Sequence, residues 1–257
     1  MATSSILLPD PVKAALKGIK KPIKIGLIAD LHQDIMHDGP KRLLTFLDAM
    51  KEEKPNALIQ LGDFAYPSKK NEMVTKAFEK AHPKALHVLG NHEIDGGHSF
   101  DEVAKIWGMK GRYYTEHING IDLVILDANE KPKNHKSGYP AHIGKKQLEW
   151  LAEKLKTLKG PILIISHQPL AGPGSIDNAK KIQSLLNTAA DKVLLAVNGH
   201  THIDHVSRAG KLSYLHVNSA SYKWVGKSPS QLGIPAKPDR TDGKEICPEI
   251  RSRKITS

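Results

Sequence analysis

The segment IKIGLIADLH, residues 23–32, joins an apolar run to two side chains that can bind a metal ion. Ile23–Ala29 is short, apolar and β-branched, which predicts a buried strand. Asp30 and His32 follow at its end, and the single residue between them lets both side chains face the same way in an extended chain. A buried strand that ends in polar residues is therefore the pattern to look for in the rest of the sequence.

The same pattern recurs four times, so that five predicted strands lead into polar residues. The four further strands and the segments that follow them are Ala57–Leu61 with Gly62-Asp63, Leu86–Leu89 with Gly90-Asn91-His92-Glu93, Ile162–Ile165 with Ser166-His167, and Leu194–Val197 with Asn198-Gly199-His200-Thr201-His202. Ligands of open α/β sheets bind beyond the carboxyl ends of the strands. We therefore expect these five endings to converge on one site, with the glycines at 62, 90 and 199 permitting sharp turns or close backbone approach.

The segments between these strands predict the fold class. Helical spacing of apolar residues is found at Pro40–Lys51, Asn71–Lys80, Phe100–Trp107, Gly144–Leu158 and Ile176–Ala189. Strands that alternate with helices favour an α/β protein. A hairpin predicted from Arg112–Glu116 and Ile121–Leu126, with Asn119-Gly120 at its turn, and a later strand at Tyr214–Val217 favour a second, partly antiparallel sheet. The expected architecture is two packed mixed β-sheets flanked by helices.

Composition suggests one main domain between two less regular ends. Residues 1–21 are predicted to be a loosely held lead-in, residues 22–226 the main domain, and residues 227–257 a tail of the same domain in which Ile246–Ile250 is a candidate final strand. The 39% hydrophobic and 25% charged residues are typical of a globular protein and exclude a low-complexity chain. The single cysteine, Cys247, excludes an intrachain disulfide and a cysteine zinc cluster.

Charge and hydropathy restrict the partners and the compartment. The formal net charge of +11 attracts anions, including phosphorylated small molecules, nucleic acid and acidic lipid, but the lysines are scattered, which does not favour nucleic acid. No apolar run approaches 18 residues, so we expect no membrane span. The first 23 residues lack the apolar core of a leader peptide. Two locations therefore remain as alternatives: the cytoplasm, or an extracytoplasmic compartment if a leader has been removed from the chain.

The residue types at the five strand endings predict a centre with two metal ions. Carboxylate and amide oxygens together with imidazole nitrogens suit Mn, Fe, Co or Zn better than Ca or Mg. Seven candidate ligands are too many for one tetrahedral zinc ion, but they are enough for two ions that share a bridging carboxylate.

In this order the five blocks resemble the calcineurin-like metallophosphoesterase superfamily, and in particular its bacterial small-molecule branch. The resemblance implies a four-layer sandwich and hydrolysis of a phosphomonoester or phosphodiester, nucleotide-like in kind, by a metal-bridging hydroxide. It implies that Asp63 bridges the ions and that His92 is the general acid or a phosphate ligand. The implied ligands are Asp30, His32, Asp63 and His202 for the first ion, and Asp63, Asn91, His167 and His200 for the second.

Several residues near the five blocks are candidates for substrate contact. They are Asn91, His92, Tyr66, His135, Tyr222 and Trp224. The segment Asp63-Phe64-Ala65-Tyr66 also resembles the Gly-Asp-x-x-Tyr block of purple acid phosphatases, in which the tyrosine binds iron. Those enzymes lack the histidine of the first block, whereas His32 is present here, so Tyr66 is predicted not to bind metal. The long polar loop from Asn129 to His142 is a candidate lid.

Two alternatives to a small-molecule phosphoesterase remain at this stage. A metal-dependent nuclease is supported only by the net charge of +11. A non-enzymatic scaffold on the same fold is disfavoured because such proteins usually lose ligands, whereas this chain has the full set.

Overall fold

The computed structural model describes residues 16, 19 and 22–224 and the short strand segments 240–241, 244–246 and 254–255, with side chains described as far as Tyr222. Most of the predicted lead-in and tail therefore lies outside the described residues. Of the candidate strand Ile246–Ile250, only Ile246 is described, and it ends a strand that begins at Lys244.

Helices and strands alternate along the described chain. The strands are β1 Ile25–Ile28, β2 Ala57–Gln60, β3 Ala85–His87, β4 Tyr114–Ile118, β5 Ile121–Ile125, β6 Ile162–Ile165, β7 Val193–Asn198, β8 His205–Ala209, β9 Leu212–His216, β10 Tyr222–Trp224, β11 Arg240–Thr241, β12 Lys244–Ile246 and β13 Lys254–Ile255. The α-helices are α1 Gly39–Glu53, α2 Glu72–Ala81, α3 Phe100–Ile106, α4 Lys145–Thr157 and α5 Ala179–Asn187. Within the described part of the chain, no helix has both the length and the apolar character that crossing a bilayer requires.

The strands form two mixed sheets and one small additional sheet. The first sheet has the order β13-β1-β2-β3, with β1, β2 and β3 parallel. The second has the order β4-β5-β6-β7-β9-β8, in which β5, β6, β7 and β9 are parallel and an antiparallel hairpin lies at each edge. These two sheets confirm the predicted fold class. The small sheet β10-β12-β11 was not predicted.

Alternating side chains of the two sheets divide the core into layers. Leu27 and Ile59 of the first sheet share one buried cluster with Leu123 and Ile125 of the second, so this cluster lies between the sheets. Val124 faces the other way and packs in a cluster with α4 and α5. The first sheet has a similar outer cluster with α1, α2 and α3. The order of layers is therefore helix, sheet, sheet, helix, and the parallel strands are buried on both faces.

The sequence pattern placed most elements correctly, but it missed the edge strand β8 and the short strands β10, β11 and β13. Strand β8, His205–Ala209, has mostly exposed side chains and lies at an edge of the second sheet. Because this strand buries neither face, its sequence lacks the alternation of apolar and polar residues that predicts a strand. The predicted helix Ile176–Ala189 begins later, at Ala179, and the predicted strand Arg112–Glu116 is shifted to Tyr114–Ile118.

Two neighbouring leucines of α1 test the outer core of the first sheet. Leu43 is 1% exposed and Leu44 is 54% exposed. We expect Leu43→Ala to lower the free energy of unfolding by about 2–5 kcal/mol through the lost burial and the cavity it leaves. The matched control Leu44→Ala loses the same atoms from a solvated position and should change it by less than about 0.5 kcal/mol. Urea unfolding measures both, and equal losses would contradict the assignment of this helix face to the core.

Candidate metal centre

Backbone hydrogen bonds hold the polar strand endings against each other. The amide of Asp30 donates to the carbonyl of Gly62 at 3.1 Å, and the amide of His32 donates to the carbonyl of Asp63 at 2.9 Å. The two sheets meet where the amide of His200 donates to the Asp30 carboxylate at 2.9 and 3.1 Å. Residues 170 positions apart therefore share one side of the molecule, as the convergence of strand ends predicted.

Two groups of side chains that could each hold a metal ion lie at this convergence. Asp30, His32 and His202 form one group, and Asp63, His167 and His200 form the other; within each group, the potential ligand atoms lie within 4.8 Å of one another. Each group combines residues from both sheets.

Asp63 and Asn91 complete the arrangement of the seven predicted ligands. Asp63 Oδ2 lies 3.1 Å from His167 Nε2 and 3.7 Å from His32 Nε2, so this carboxylate lies between the two groups. Asn91 Oδ1 lies 3.2 Å from His167 Nε2 and so adjoins the second group. All seven side chains are thus gathered at one centre.

Carbonyl partners fix the tautomers of two of the histidines. His202 Nδ1 lies 2.6 Å from the carbonyl of Tyr222, and His167 Nδ1 lies 2.8 Å from the carbonyl of Leu61. A carbonyl only accepts, so each Nδ1 carries the donated proton and each Nε2 faces the centre as an acceptor in the neutral ring.

The atoms that these Nε2 atoms face are also acceptors. His202 Nε2 lies 3.3 Å from Asp30 Oδ1, and His167 Nε2 faces the oxygens of Asp63 and Asn91. Acceptors that face acceptors in a buried site require a cation between them. The geometry therefore fits transition-metal ions at both groups.

The pKa values favour the ligand forms of most of these groups. Burial raises the pKa of Asp63, but His167, His32 and His92 outweigh it and hold the pKa well below its ordinary value. Burial lowers the pKa of His32 and of His200 to about 4, so that both rings are neutral. Ionised carboxylates and neutral imidazoles are the forms that bind metal ions.

His167 differs because the acidic groups dominate its surroundings. Burial lowers its pKa, but Asp63, Asp30 and Glu93 outweigh burial and raise it to about 10. In the metal-free chain, a proton on this ring therefore supplies the positive charge that the surrounding acceptors require.

The backbone at the ligands is in an unusual conformation. Seven described residues other than glycine have positive φ, and five of them are predicted metal ligands. These five are Asp30 at 53°, His32 at 48°, Asp63 at 51°, His200 at 67° and His202 at 52°. The left-handed region costs a residue with a Cβ roughly 1–2 kcal/mol, and strain of this kind collects at functional sites. Folding energy from the buried sheets therefore maintains the ligand geometry.

Two glycines allow the second and third strand endings to touch. A Cβ at Gly62, where φ is +97°, would lie 2.8 Å from the Cα of Gly90. A Cβ at Gly90 would clash with the backbone nitrogen and the carboxylate of Asp63. The predicted close backbone approach is therefore present at both positions.

His92 lies beside the centre but in neither ligand group. Its amide donates to Asp63 Oδ1 at 2.9 Å, and its ring lies edge-on to the ring of His32 with centroids 5.2 Å apart. It lines a small open cleft together with His32, Asp34, Ile35, Asp63, Ala65, Tyr66 and Glu93. Tyr66 lines the same cleft.

The other predicted substrate contacts lie in different settings. Tyr222 is buried, and its ring packs against His32 and His202 at centroid distances of 5.2 and 4.6 Å, so it supports the ligands from behind. His135 Nε2 lies 2.9 Å from the carbonyl of Gly138 in its own loop. Trp224 belongs to strand β10, and its side chain lies outside the described atoms.

Sequence reasoning assigned no role to Glu93 or Tyr139. Glu93 is buried, its Oε1 accepts from the amide of Phe64 at 2.7 Å, and burial together with Asp63 raises its pKa to about 8. Its place in the Gly-Asn-His-Glu block was a signal that sequence reasoning could have used. Tyr139 hydrogen-bonds beside His92 from a position 47 residues away, and no motif marks it.

The class that this fold and centre define is the metal-dependent phosphoric ester hydrolases. The chain belongs to the calcineurin-like phosphoesterase family, whose sequence profile matches residues 23–204. No curated protein sequence matches it significantly.

Solved structures of the same fold are distant in sequence. A dimetal phosphatase from Danio rerio is 17% identical, with a TM-score of 0.61 over 77% of this chain and 88% of that one. GAP50, the anchor in the inner membrane complex of Plasmodium, is 15% identical, with a TM-score of 0.58 over 81% and 74%. The phosphopantetheinyl hydrolase of Mycobacterium tuberculosis is 13% identical, with a TM-score of 0.52 over 77% and 90%. At such low sequence identities, the structural similarity to these proteins establishes the fold alone.

The strained backbone at His200 predicts an unusual response to substitution. His200→Gly and His200→Ala both remove the imidazole, but only alanine keeps a Cβ at φ 67°. We expect the metal-free glycine variant to be more stable than the alanine variant by about 1 kcal/mol. At the exposed strand residue His205 the order should reverse, because glycine weakens a strand by about 0.5–1 kcal/mol relative to alanine. Thermal unfolding in chelator measures all four variants, and the same order at both positions would refute the strain at His200.

Proposed function

We propose that this chain hydrolyses a small phosphate ester, either a monoester or a diester of nucleotide-like size, with two transition-metal ions of the Mn, Fe, Zn or Co type. The observation that carries the proposal is the position of Asp63 beside both ligand groups, which together draw on four strand endings, while Asn91 from a fifth ending adjoins the second group. When bound, two such ions lower the pKa of a water molecule and neutralise phosphate oxygens as the transition state forms.

The ligand roles follow from the two groups. Asp30, His32 and His202 would hold one ion, and His167, His200 and the Asn91 oxygen would hold the other, with Asp63 within reach of both. The carbonyls of Tyr222 and Leu61 orient His202 and His167 so that Nε2 faces the ions. Such partners of the ligands keep the rings in the binding tautomer without contacting the ions themselves.

His92 is the residue placed for proton transfer to the leaving group. Its ring is partly exposed at the cleft, beside Asp63 and outside both ligand groups. An imidazole at this position can act as a general acid toward the leaving oxygen. Ile35, Ala65 and Tyr66 line the same cleft and form an apolar wall for the organic part of the ester.

The position of the cleft and the charge of the chain support a small anionic substrate. The cleft is lined by His32, Asp63 and His92, so a phosphate ester held there would lie beside the candidate ligands. The net charge of +11 favours the approach of a phosphate ester of any kind. Nucleic acid has only this net charge in its favour, and a scaffold without activity would not need seven converging ligands.

Removing the bridge should remove activity on every substrate. In Asp63→Asn, the shared carboxylate is lost, so we expect fewer than two ions per chain and a loss of more than about 10²-fold in hydrolysis of both nitrophenyl phosphate and bis-nitrophenyl phosphate. The matched control is Asp191→Asn, which removes an exposed carboxylate outside both ligand groups. Elemental analysis and the two assays follow manganese loading. A variant that keeps two ions and full activity would refute the bridging role.

The proposed acid role of His92 predicts a dependence on the leaving group. His92→Ala should slow the hydrolysis of an ester with a poor leaving group, such as phenol, by about 10²–10⁴-fold. It should slow the hydrolysis of a nitrophenyl ester much less, because nitrophenolate leaves without a proton. The control His117→Ala removes a surface histidine that also pairs with an aspartate, Asp122 at 2.8 Å. Equal slowing for both leaving groups would show that His92 does not supply the proton.

A further inference from the structure

Three polar side chains from separate segments meet at the exposed edge of the cleft. His92 Nδ1 lies 2.6 Å from Asp95 Oδ2. The hydroxyl of Tyr139 lies 2.7 and 2.8 Å from the two carboxylate oxygens of Asp95 and 3.2 Å from His92 Nδ1. The rings of Tyr139 and His92 are also in contact, with centroids 4.7 Å apart.

The chemistry of the three groups determines which of them donate hydrogen bonds and which accepts. The Asp95 carboxylate accepts only, so the Tyr139 hydroxyl and His92 Nδ1–H both donate to it. This assignment leaves Nε2 of His92 as the nitrogen available to a substrate in the cleft. Burial, together with the hydrogen bond to Asp95, raises the pKa of Tyr139 above its ordinary value, so its hydroxyl remains a donor at neutral pH.

Tyr139 belongs to a segment whose two ends are fixed next to the metal ligands. The amide of Glu130 donates to the carbonyl of His142, which closes the loop that carries Tyr139. Asn129 Nδ2 donates to the carbonyl of Leu89, and Gln168 Nε2 donates to Asn129 Oδ1 at 2.6 Å. Leu89 and Gln168 immediately flank the Gly90-Asn91 and His167 segments. The loop therefore starts from a rigid buried base, although the side chain of Tyr139 is 43% exposed.

We propose that Asp95 and Tyr139 are positioning residues that hold His92 with Nδ1–H on the carboxylate and Nε2 directed at the leaving group. The inference rests on the proposed hydrolytic function and adds to it the residues through which the acid is oriented. The Asp95 carboxylate fixes the ring by one short hydrogen bond. Tyr139 fixes the carboxylate through its hydroxyl and restricts the rotation of the imidazole through its ring.

These residues serve the proton transfer that accompanies cleavage of the ester bond. The bond between phosphorus and the leaving oxygen breaks, and its electron pair goes to that oxygen, which takes the proton from His92 Nε2. The imidazole is left neutral, with Nδ1–H still on Asp95. The water that attacks phosphorus gives the phosphate its new oxygen, and a proton from water restores the imidazolium for the next turnover.

The test compares leaving groups in the full-length, manganese-loaded protein. The substrates are aryl phosphate monoesters or diesters, whichever class the wild type hydrolyses faster. Within that class, a nitrophenyl ester is compared with a phenyl ester. We expect Tyr139→Phe, which keeps the ring and loses the hydroxyl, to slow the phenyl ester by about tenfold, the size of one hydrogen bond to a charged group. Asp95→Asn should slow it by about 10²-fold or more, because the charged partner of the acid is lost. The nitrophenyl ester should change by less than about twofold in either variant.

A double-mutant cycle separates positioning from a merely structural role. When His92→Ala is already present, Tyr139→Phe should have no further effect on the phenyl ester, because the group it positions is absent. The matched control is Tyr113→Phe, at a tyrosine whose ring packs on Trp150, and it should leave both rates unchanged. Bound manganese and thermal unfolding are measured for each variant.

The remaining outcomes distinguish this inference from the proposed function. If Tyr139→Phe slows both esters equally, or slows the His92→Ala protein as much as the wild type, the positioning role is overturned while the hydrolytic function stands. If wild type hydrolyses neither ester with manganese, zinc, iron or cobalt, the proposed function fails and this inference fails with it. If His92→Ala slows both esters equally, His92 is not the acid and the inference is overturned at that step.

Discussion

Two buried carboxylates impose the main constraint on this structure. Asp30 and Asp63 are almost fully enclosed at the ends of neighbouring strands, and each is surrounded by histidines. Buried carboxylates are tolerated only where positive charge or donors compensate for lost hydration. The histidines supply that compensation, and the fixed tautomers together with the acceptor oxygen of Asn91 suit the centre to metal cations. The neighbouring cleft, with His92 at its edge, lies directly beside this centre.

Much of this centre was predictable because the chemistry follows buried strands. An apolar run such as Ile25–Ile28 has one simple interpretation, and the polar residues at its end must then lie at the edge of the sheet. Repetition at five strands compensated for the weakness of each single signal. The prediction of the layered fold depended on the same runs together with the helical spacing between them.

Other features had no signal in the sequence because they arise from tertiary structure. Strand β8 buries neither of its faces, so it carries no alternation of apolar and polar residues. The left-handed conformation of His200 and His202 is imposed on residue types that do not require it. The contact between Tyr139 and His92 joins two loops 47 residues apart, and it depends on the path of a polar segment that has no regular pattern. Residue spacing within one strand or helix does not predict such tertiary contacts between loops.

The origin of the ligands in two different sheets has a consequence for how the molecule responds to change. Asp30 and Asp63 extend from the first sheet, whereas His167, His200 and His202 extend from the second, and the amide of His200 bonds to Asp30 across the junction. Cation affinity and the docking of the two sheets are therefore thermodynamically linked, since each ion contributes binding energy only when both halves are in place. Substitutions deep between the sheets, at Leu123 or Ile59 for example, will act on catalysis from a distance by loosening this junction. A defect first detected as weak metal retention can thus originate in hydrocarbon packing far from any ligand.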